Sequence, residues 1–265
     1  MLLLGSPDVI GPTQLAVVDA SGAVRAVELT SIPGGSEPIQ TSSDAHAWRQ
    51  RKPGLAVDAA ASTAYVVADT GVVAAVELGG LAVVYRQPSE PRSLLTRIRN
   101  WWEPEAYAKI IDGSIREARW LGGGKIAVSG TDNTLVTEGG AEPRVDTEPA
   151  GLTVIDVETW TARPLDRHAT SVQVAGGLLF ATGFRPDWIE KSRGIGMSVY
   201  EPDGDRVLQF FDGRVVNVAE VFDGRAYVRL DGSQRLTVVE LASGRVVGSR
   251  ATLPRLVRDP SWLDG

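Results

Sequence analysis

Four tryptophans and four arginines sit together in stretches of the chain that lack a regular apolar pattern. They are Trp48, Trp101, Trp102 and Trp188, with Arg49, Arg51, Arg185 and Arg193 near them. Trp offers a large flat surface with one donor, and interfaces concentrate binding energy on Trp and Arg. Such a set suits a protein or peptide partner, or a sugar ring stacked on indole. The same stretches carry Glu103, Asp132, Asp187 and Glu190. Two carboxyl groups facing each other across a cleft would be needed to cleave a glycoside. No motif pairs these four, and acidic loop residues are ordinarily solvated. The candidate ligand-binding set is Trp48, Arg49, Trp101, Trp102, Asp132, Arg185, Asp187 and Trp188. No catalytic and no metal-binding residue is assigned. The plainer role for the tryptophans is to anchor inserted segments.

Other chemistries find little to work with. The chain has no cysteine, so disulfides, thiolate nucleophiles and thiolate metal sites are excluded. Its two histidines, His46 and His168, are far apart in sequence, and each reads as a hydrogen-bonded loop residue rather than a ligand. GGGK at 122–125 continues with Ile126 in place of Ser or Thr, so it reads as a glycine turn and not a phosphate loop. RGIGMSV at 193–199 begins like a dinucleotide fingerprint, but no βαβ unit surrounds it. There is no G-x-S-x-G elbow. Asp132, Glu138, Asp146 and Glu148 lack the alternate spacing of a calcium loop. No cofactor is expected.

What positions the candidate residues is a repeat. Five segments share an apolar run, an acidic residue, a short turn and a second apolar run: 15–29, 73–85, 152–165, 197–210 and 236–249. Aligned, they place Asp19, Glu77, Asp156, Glu201 and Glu240 at one point. Each reads as a β-hairpin, its acid accepting hydrogen bonds from the turn backbone. A third apolar run precedes each hairpin, at 1–5, 64–69, 125–130, 178–183 and 225–230, and a fourth precedes four of those, at 54–58, 115–121, 171–176 and 216–222. The unit is thus four strands, A to D. Repeats of this length mean an array of supersecondary units. The first unit lacks an A strand, and PRLVRDPSW at 254–262 can supply it.

The expected fold is all-β: a β-propeller of four-stranded antiparallel blades, five in number with the C-terminal strand closing the first blade. The competing arrangement is a truncated six- or seven-bladed ring. The blades fall at about 1–32 plus 254–262, 54–86, 114–166, 170–212 and 214–250 in one domain. RAYVRLDGSQRLTVVELASGRVV (225–247) and, more loosely, AYVVADTGVVAAVELGGLAVV (64–84) resemble the repeat of bacterial YVTN-type propellers, relatives of WD40-like repeat proteins. The resemblance covers about four-fifths of the chain as pattern and implies a binding scaffold, without catalytic residues to carry over. It also tilts the expected location outside the cytoplasm, although the N-terminus carries no signal-peptide pattern.

Antiparallel alternation sends A–B and C–D turns to one end of every blade, where all are short. B–C loops and D–A links go to the other end, which holds the insertions 33–53, 87–113, 131–150 and 184–195. Long loops gathered at one end of a scaffold are where binding residues collect, so this elaborated face is the expected binding face. Within it, 91–109 is the expected helix, capped by Ser93 and packed across the ring through Leu94, Leu95, Ile98, Trp101 and Trp102. The polar segment 131–151 is expected to form a mobile flap or to stay disordered. A formal net charge of −6 argues against nucleic acid, and no stretch reads as a membrane span. The expected function is a non-catalytic scaffold for a protein or peptide partner; the alternative is a carbohydrate-binding or glycoside-cleaving propeller.

Overall fold

The recurring acid closes the hairpin turn of its repeat. Asp19 Oδ1 accepts from the backbone N–H of Ser21 at 2.8 Å and of Ala23 at 3.0 Å. Asp156 Oδ1 accepts from Glu158 N–H at 3.0 Å and Thr159 N–H at 2.8 Å. The Glu77 carboxylate takes the N–H groups of Gly79 and Gly80, and Glu240 takes the Ser243 hydroxyl. These are the local bonds by which short acidic side chains stabilise turns. At Glu201 the backbone closes the turn instead, Gly204 N–H donating to the Glu201 carbonyl at 2.9 Å.

The structure, a computed structural model, describes residues 1–5, 9–39, 47–89, 110–136, 144–186, 193–230, 233 and 235–251. Strands β1 (Leu2–Gly5), β2 (Gly11–Val18) and the start of β3 (Val24–Ile39) form the first meander. After β4 (Ala47–Lys52) come β5 (Gly54–Asp58), β6 (Thr63–Val67), β7 (Val73–Glu77) and β8 (Val83–Arg86), a four-stranded antiparallel sheet. The third sheet uses β9 (Ile110–Gly122), β10 (Lys125–Val136), β12 (Leu152–Asp156) and β13 (Thr161–Asp166), with β11 (Arg144–Pro149) paired to β10. The fourth comprises β14 (Ala169–Ala175), β15 (Leu178–Arg185), β16 (Arg193–Tyr200) and β17 (Arg206–Phe210). The fifth comprises β18 (Val216–Phe222), β19 (Arg225–Leu230), β20 (Arg235–Glu240) and β21 (Arg245–Ala251). No helix occurs among the described residues, and so none there is long and apolar enough to cross a membrane.

Side-chain alternation explains how the sheets stack. On β6, Ala64 and Val66 pack toward the first sheet, while Tyr65 and Val67 pack toward the third. On β15, Leu179 and Ala181 face the third sheet and Phe180 faces the fifth. Strands buried on both sides read as continuous apolar runs, and each large apolar side chain so buried contributes about 1.5–3 kcal/mol. Four apolar clusters of described residues thus join sheet one to two, two to three, three to four and four to five. The first strands of successive sheets also meet: β5 lies against β9, β9 against β14 and β14 against β18. Polar bonds tie them, Ser171 Oγ donating to Glu117 Oε2 at 3.0 Å and Gln173 Nε2 to the Val218 carbonyl at 2.8 Å. Sheets stacked face to face with their first strands converging make a β-propeller, and the first strands line its axis.

In their described residues, the insertions 33–53 and 131–150 are built differently from the expectation of loops. β3 runs past its blade to Ile39, and β4 pairs antiparallel with it from Gly35↔Arg51 to Ile39↔Ala47. β4 then pairs in parallel with the start of β9, from Ala47↔Ile110 to Lys52↔Ile115. β10 overshoots its blade to Val136 and β11 returns along it. The result is a second layer in the order β3–β4–β9–β10–β11, which links the first and third blades by hydrogen bonds. The polar segment 131–151, expected as a flap or disordered, therefore contributes two strands, 131–136 and 144–149. Its alternation of Asn133, Leu135, Val145 and Thr147 with Asp132, Thr134, Asp146 and Glu148 has the two-residue period of a strand, which composition conceals. The parallel pairing needs a glycine: at Gly113 φ is +117°, and a Cβ would lie 2.1 Å from the Gln50 carbonyl oxygen. The expected helix over 91–109 and the closing strand 254–262 lie outside the described residues.

Candidate functional site

On the second layer, charged residues share one side. Arg49 on β4 stands opposite Glu37 on β3 and Asp112 on β9. Its Nε donates to Asp112 Oδ2 at 2.7 Å, and Nη1 reaches Glu37 Oε1 at 3.5 Å. The carboxylates hold the Arg49 guanidinium above its already high pKa, the Asp112 hydrogen bond foremost. Asp112 Oδ1 also accepts from Leu135 N–H at 3.1 Å. On the same side the largely buried Arg116 donates to Asp132 Oδ1 at 2.7 Å and to the Thr131 carbonyl at 3.0 Å. Arg51 reaches Asp69 at 3.8 Å. The opposite side carries Trp48, 46% exposed, beside the exposed Pro38 to which it is paired, together with the bond from Thr147 Oγ1 to Asn133 Oδ1 at 2.8 Å.

A second group lies on the same face where the third, fourth and fifth blades meet. Arg167 Nε donates to His168 Nε2 at 2.9 Å, so the imidazole accepts at that nitrogen. Burial first, then the charge of Arg167, pushes the His168 pKa below its ordinary value; Asp166 opposes this and Arg185 adds to it. The Asp166 carboxylate is occupied, accepting His168 N–H at 2.9 Å and the Tyr200 hydroxyl at 2.7 Å. Tyr200 is 4% exposed, and burial followed by the Asp166 bond pushes its pKa up to about 12. Phe184 N–H donates to the His168 carbonyl at 3.1 Å. At Gly183 a Cβ would lie 2.0 Å from that carbonyl oxygen, so β14 and β15 approach too closely there for any side chain. Arg185 pairs across the sheet with Arg193, whose guanidinium lies against Gly213, next to Arg214. Arg167, Arg185, Arg193 and Arg214 are all exposed. Among the described residues none of the four forms an ion pair with a carboxylate.

Of the eight residues proposed from sequence, Trp48, Arg49, Asp132 and Arg185 are described; Trp101, Trp102, Asp187 and Trp188 lie outside the described residues. Trp48, Arg49 and Asp132 all lie on the second layer, Trp48 on one side and Arg49 and Asp132, already held by partners, on the other. Arg185 belongs to the other group. Sequence reading passed over Glu37, Asp112 and Arg116, the partners on the layer, and Arg167 and Arg214. Alternation in EPIQ, AWRQRK and IIDGSIRE was the available signal for the first three. Arg167 and Arg214 carried none beyond their place in D–A links. Among the described residues no three His, Asp or Glu side chains gather as a metal site.

The fold and this face together define a β-propeller with an elaborated loop end. No protein-family model matches the chain, and no curated protein matches it. Solved structures resemble it at low identity. An oligogalacturonate lyase in complex with manganese is 12% identical with a TM-score of 0.46, over 96% of this chain and 63% of that one. The dihydro-heme d1 dehydrogenase NirN, solved in complex with DHE, is 10% identical with a TM-score of 0.46, over 94% of this chain and 54% of that one. The WD40 domain of Toxoplasma gondii coronin is 14% identical with a TM-score of 0.33, over 95% of this chain and 68% of that one. The chain spans little more than half the length of NirN. The fold assignment rests on the sheets and clusters above, and function is argued from the site.

Proposed function

We propose that the chain is a non-catalytic propeller scaffold that binds a protein or peptide partner through its elaborated face, with five blades of YVTN type closed by 254–262. The observation that carries this reading is the second β-layer, a hydrogen-bonded platform that leaves Trp48 half exposed beside Pro38. An exposed aromatic anchor on a sheet suits a partner side chain or backbone. The glycoside-cleaving alternative needs two carboxyl groups free to act, and Asp132, the described candidate, is bound by Arg116.

A thermal-shift screen of the purified chain against peptides, sugars and divalent metals tests the proposal. A ligand at 100 times its Kd adds about 2.7 kcal/mol of stability. A peptide hit that Trp48→Ala abolishes at an unchanged melting temperature is the expected result. Stabilisation by sugars with no response to any peptide would overturn it.

A further inference from the structure

We propose that the rim formed by Arg167, Arg185, Arg193 and Arg214 is the docking site for an acidic peptide segment of the partner. The inference rests on the partner-binding reading above and names the chemistry of that partner. The four residues come from three separate connections: the link before the fourth blade, the β15–β16 hairpin and the link after the fourth blade. They gather at one end of the blade: Arg167 is bonded to His168, whose carbonyl accepts from Phe184 beside Arg185, and Arg193 is paired to Arg185 and rests on Gly213 beside Arg214.

Charge complementarity identifies the occupant. The chain as a whole is acidic, with a formal net charge of −6, so a run of cations that forms no ion pair among the described residues is against its average. Like charges directly opposite on neighbouring strands destabilise a sheet, and Arg185 faces Arg193 in that way. Among the described residues no acid forms an ion pair with them: Asp166 accepts from Tyr200 and His168, and Asp212 accepts from Gln209 Nε2 at 3.2 Å. Guanidinium forks presented in a row match carboxylates two oxygens at a time. A group spanning three connections suits an extended acidic segment better than a single small anion.

Fluorescence anisotropy with a labelled deca-glutamate peptide at 50 mM NaCl, on the full chain, tests this. Binding that falls at least tenfold in R185Q/R193Q and is unchanged in Arg206→Gln, at the opposite end of the same blade, is expected. The charge-reversed R185E/R193E variant should lose deca-glutamate and gain deca-lysine. Equal binding of deca-glutamate by the wild type and R185Q/R193Q overturns the inference, as does no binding to the wild type. Complete displacement by inorganic phosphate at equal charge concentration also overturns it, since that marks a small-anion site. A neutral peptide hit that ignores Arg185 and Arg193 sinks this inference while the partner-binding reading stands.

Discussion

Two parts of one face treat the same residue type in opposite ways. On the second β-layer Arg49, Arg51 and Arg116 each have a carboxylate. On the rim of the fourth blade Arg167, Arg185, Arg193 and Arg214 have none among the described residues. The difference follows from register. Strands in a continuous layer bring side chains into fixed opposition, so the β3–β4–β9 pairing sets Glu37, Arg49 and Asp112 in a row. The rim is assembled from two links and one hairpin, and the one strict opposition there, Arg185 with Arg193, joins like charges. Paired arginines hold structure together; arginines that meet no carboxylate among the described residues are available to a ligand.

The comparison is broken most severely at the glycine that lets the layer form. Gly113→Ala places a methyl against the Gln50 carbonyl at a positive φ, pushing β4 off β9. The expected cost is about 3 kcal/mol by urea unfolding, the size of a severe backbone clash. Next comes Arg116→Met, which strips Asp132 and the Thr131 carbonyl of a donor from a mostly buried position. Loss of charged hydrogen bonds there should cost about 2 kcal/mol in the same assay. A smaller effect belongs to the repeated acid. Asp156→Ala loses two exposed turn bonds and should cost about 1 kcal/mol, since solvent screens the rest.

The Asp156 turn also fixes a sign with pH. Its carboxyl is held below the usual value, chiefly by the Thr159 N–H, and so is that of Asp19, chiefly by the Ser21 hydroxyl. Their stabilisation is present above the ordinary value of 3.8 and is lost as pH falls through the lower folded values, which acid unfolding below pH 4 will read. The smallest effect lies on the rim. Because the folded His168 pKa is lowered from 6.5, its stabilisation is whole above that value and is lost as pH falls through the folded one. Thermal melts of the wild type should decline over that interval, and His168→Gln should flatten the decline.

The blade pattern was legible because it is local and repeated: Asp19, Glu77, Asp156 and Glu240 each bond within their own turn. The apolar runs told of strands buried on both faces, as Tyr65 and Val66 show. The second layer was not legible, because its parallel β4–β9 pairing joins segments some sixty residues apart with no periodic signal linking them. The same holds for the rim: Arg185 and Arg193 stood out near Trp188, but Arg167 and Arg214 reach them through the ring's geometry alone. Composition misled at 131–151, where polar residues alternate as strands.

The central claim is that the arginines of the layer are structural and those of the rim are not. Thermal unfolding of R49Q/R116Q beside R185Q/R193Q, at low salt and without ligand, tests it most directly. For a chain of this length each kcal/mol moves the melting temperature by roughly 2–4 °C. The layer variant should melt about 4–8 °C lower, and the rim variant at the wild-type temperature or slightly above it. A rim variant that falls as far as the layer variant would contradict the account, since Arg185 and Arg193 would then be holding the fold.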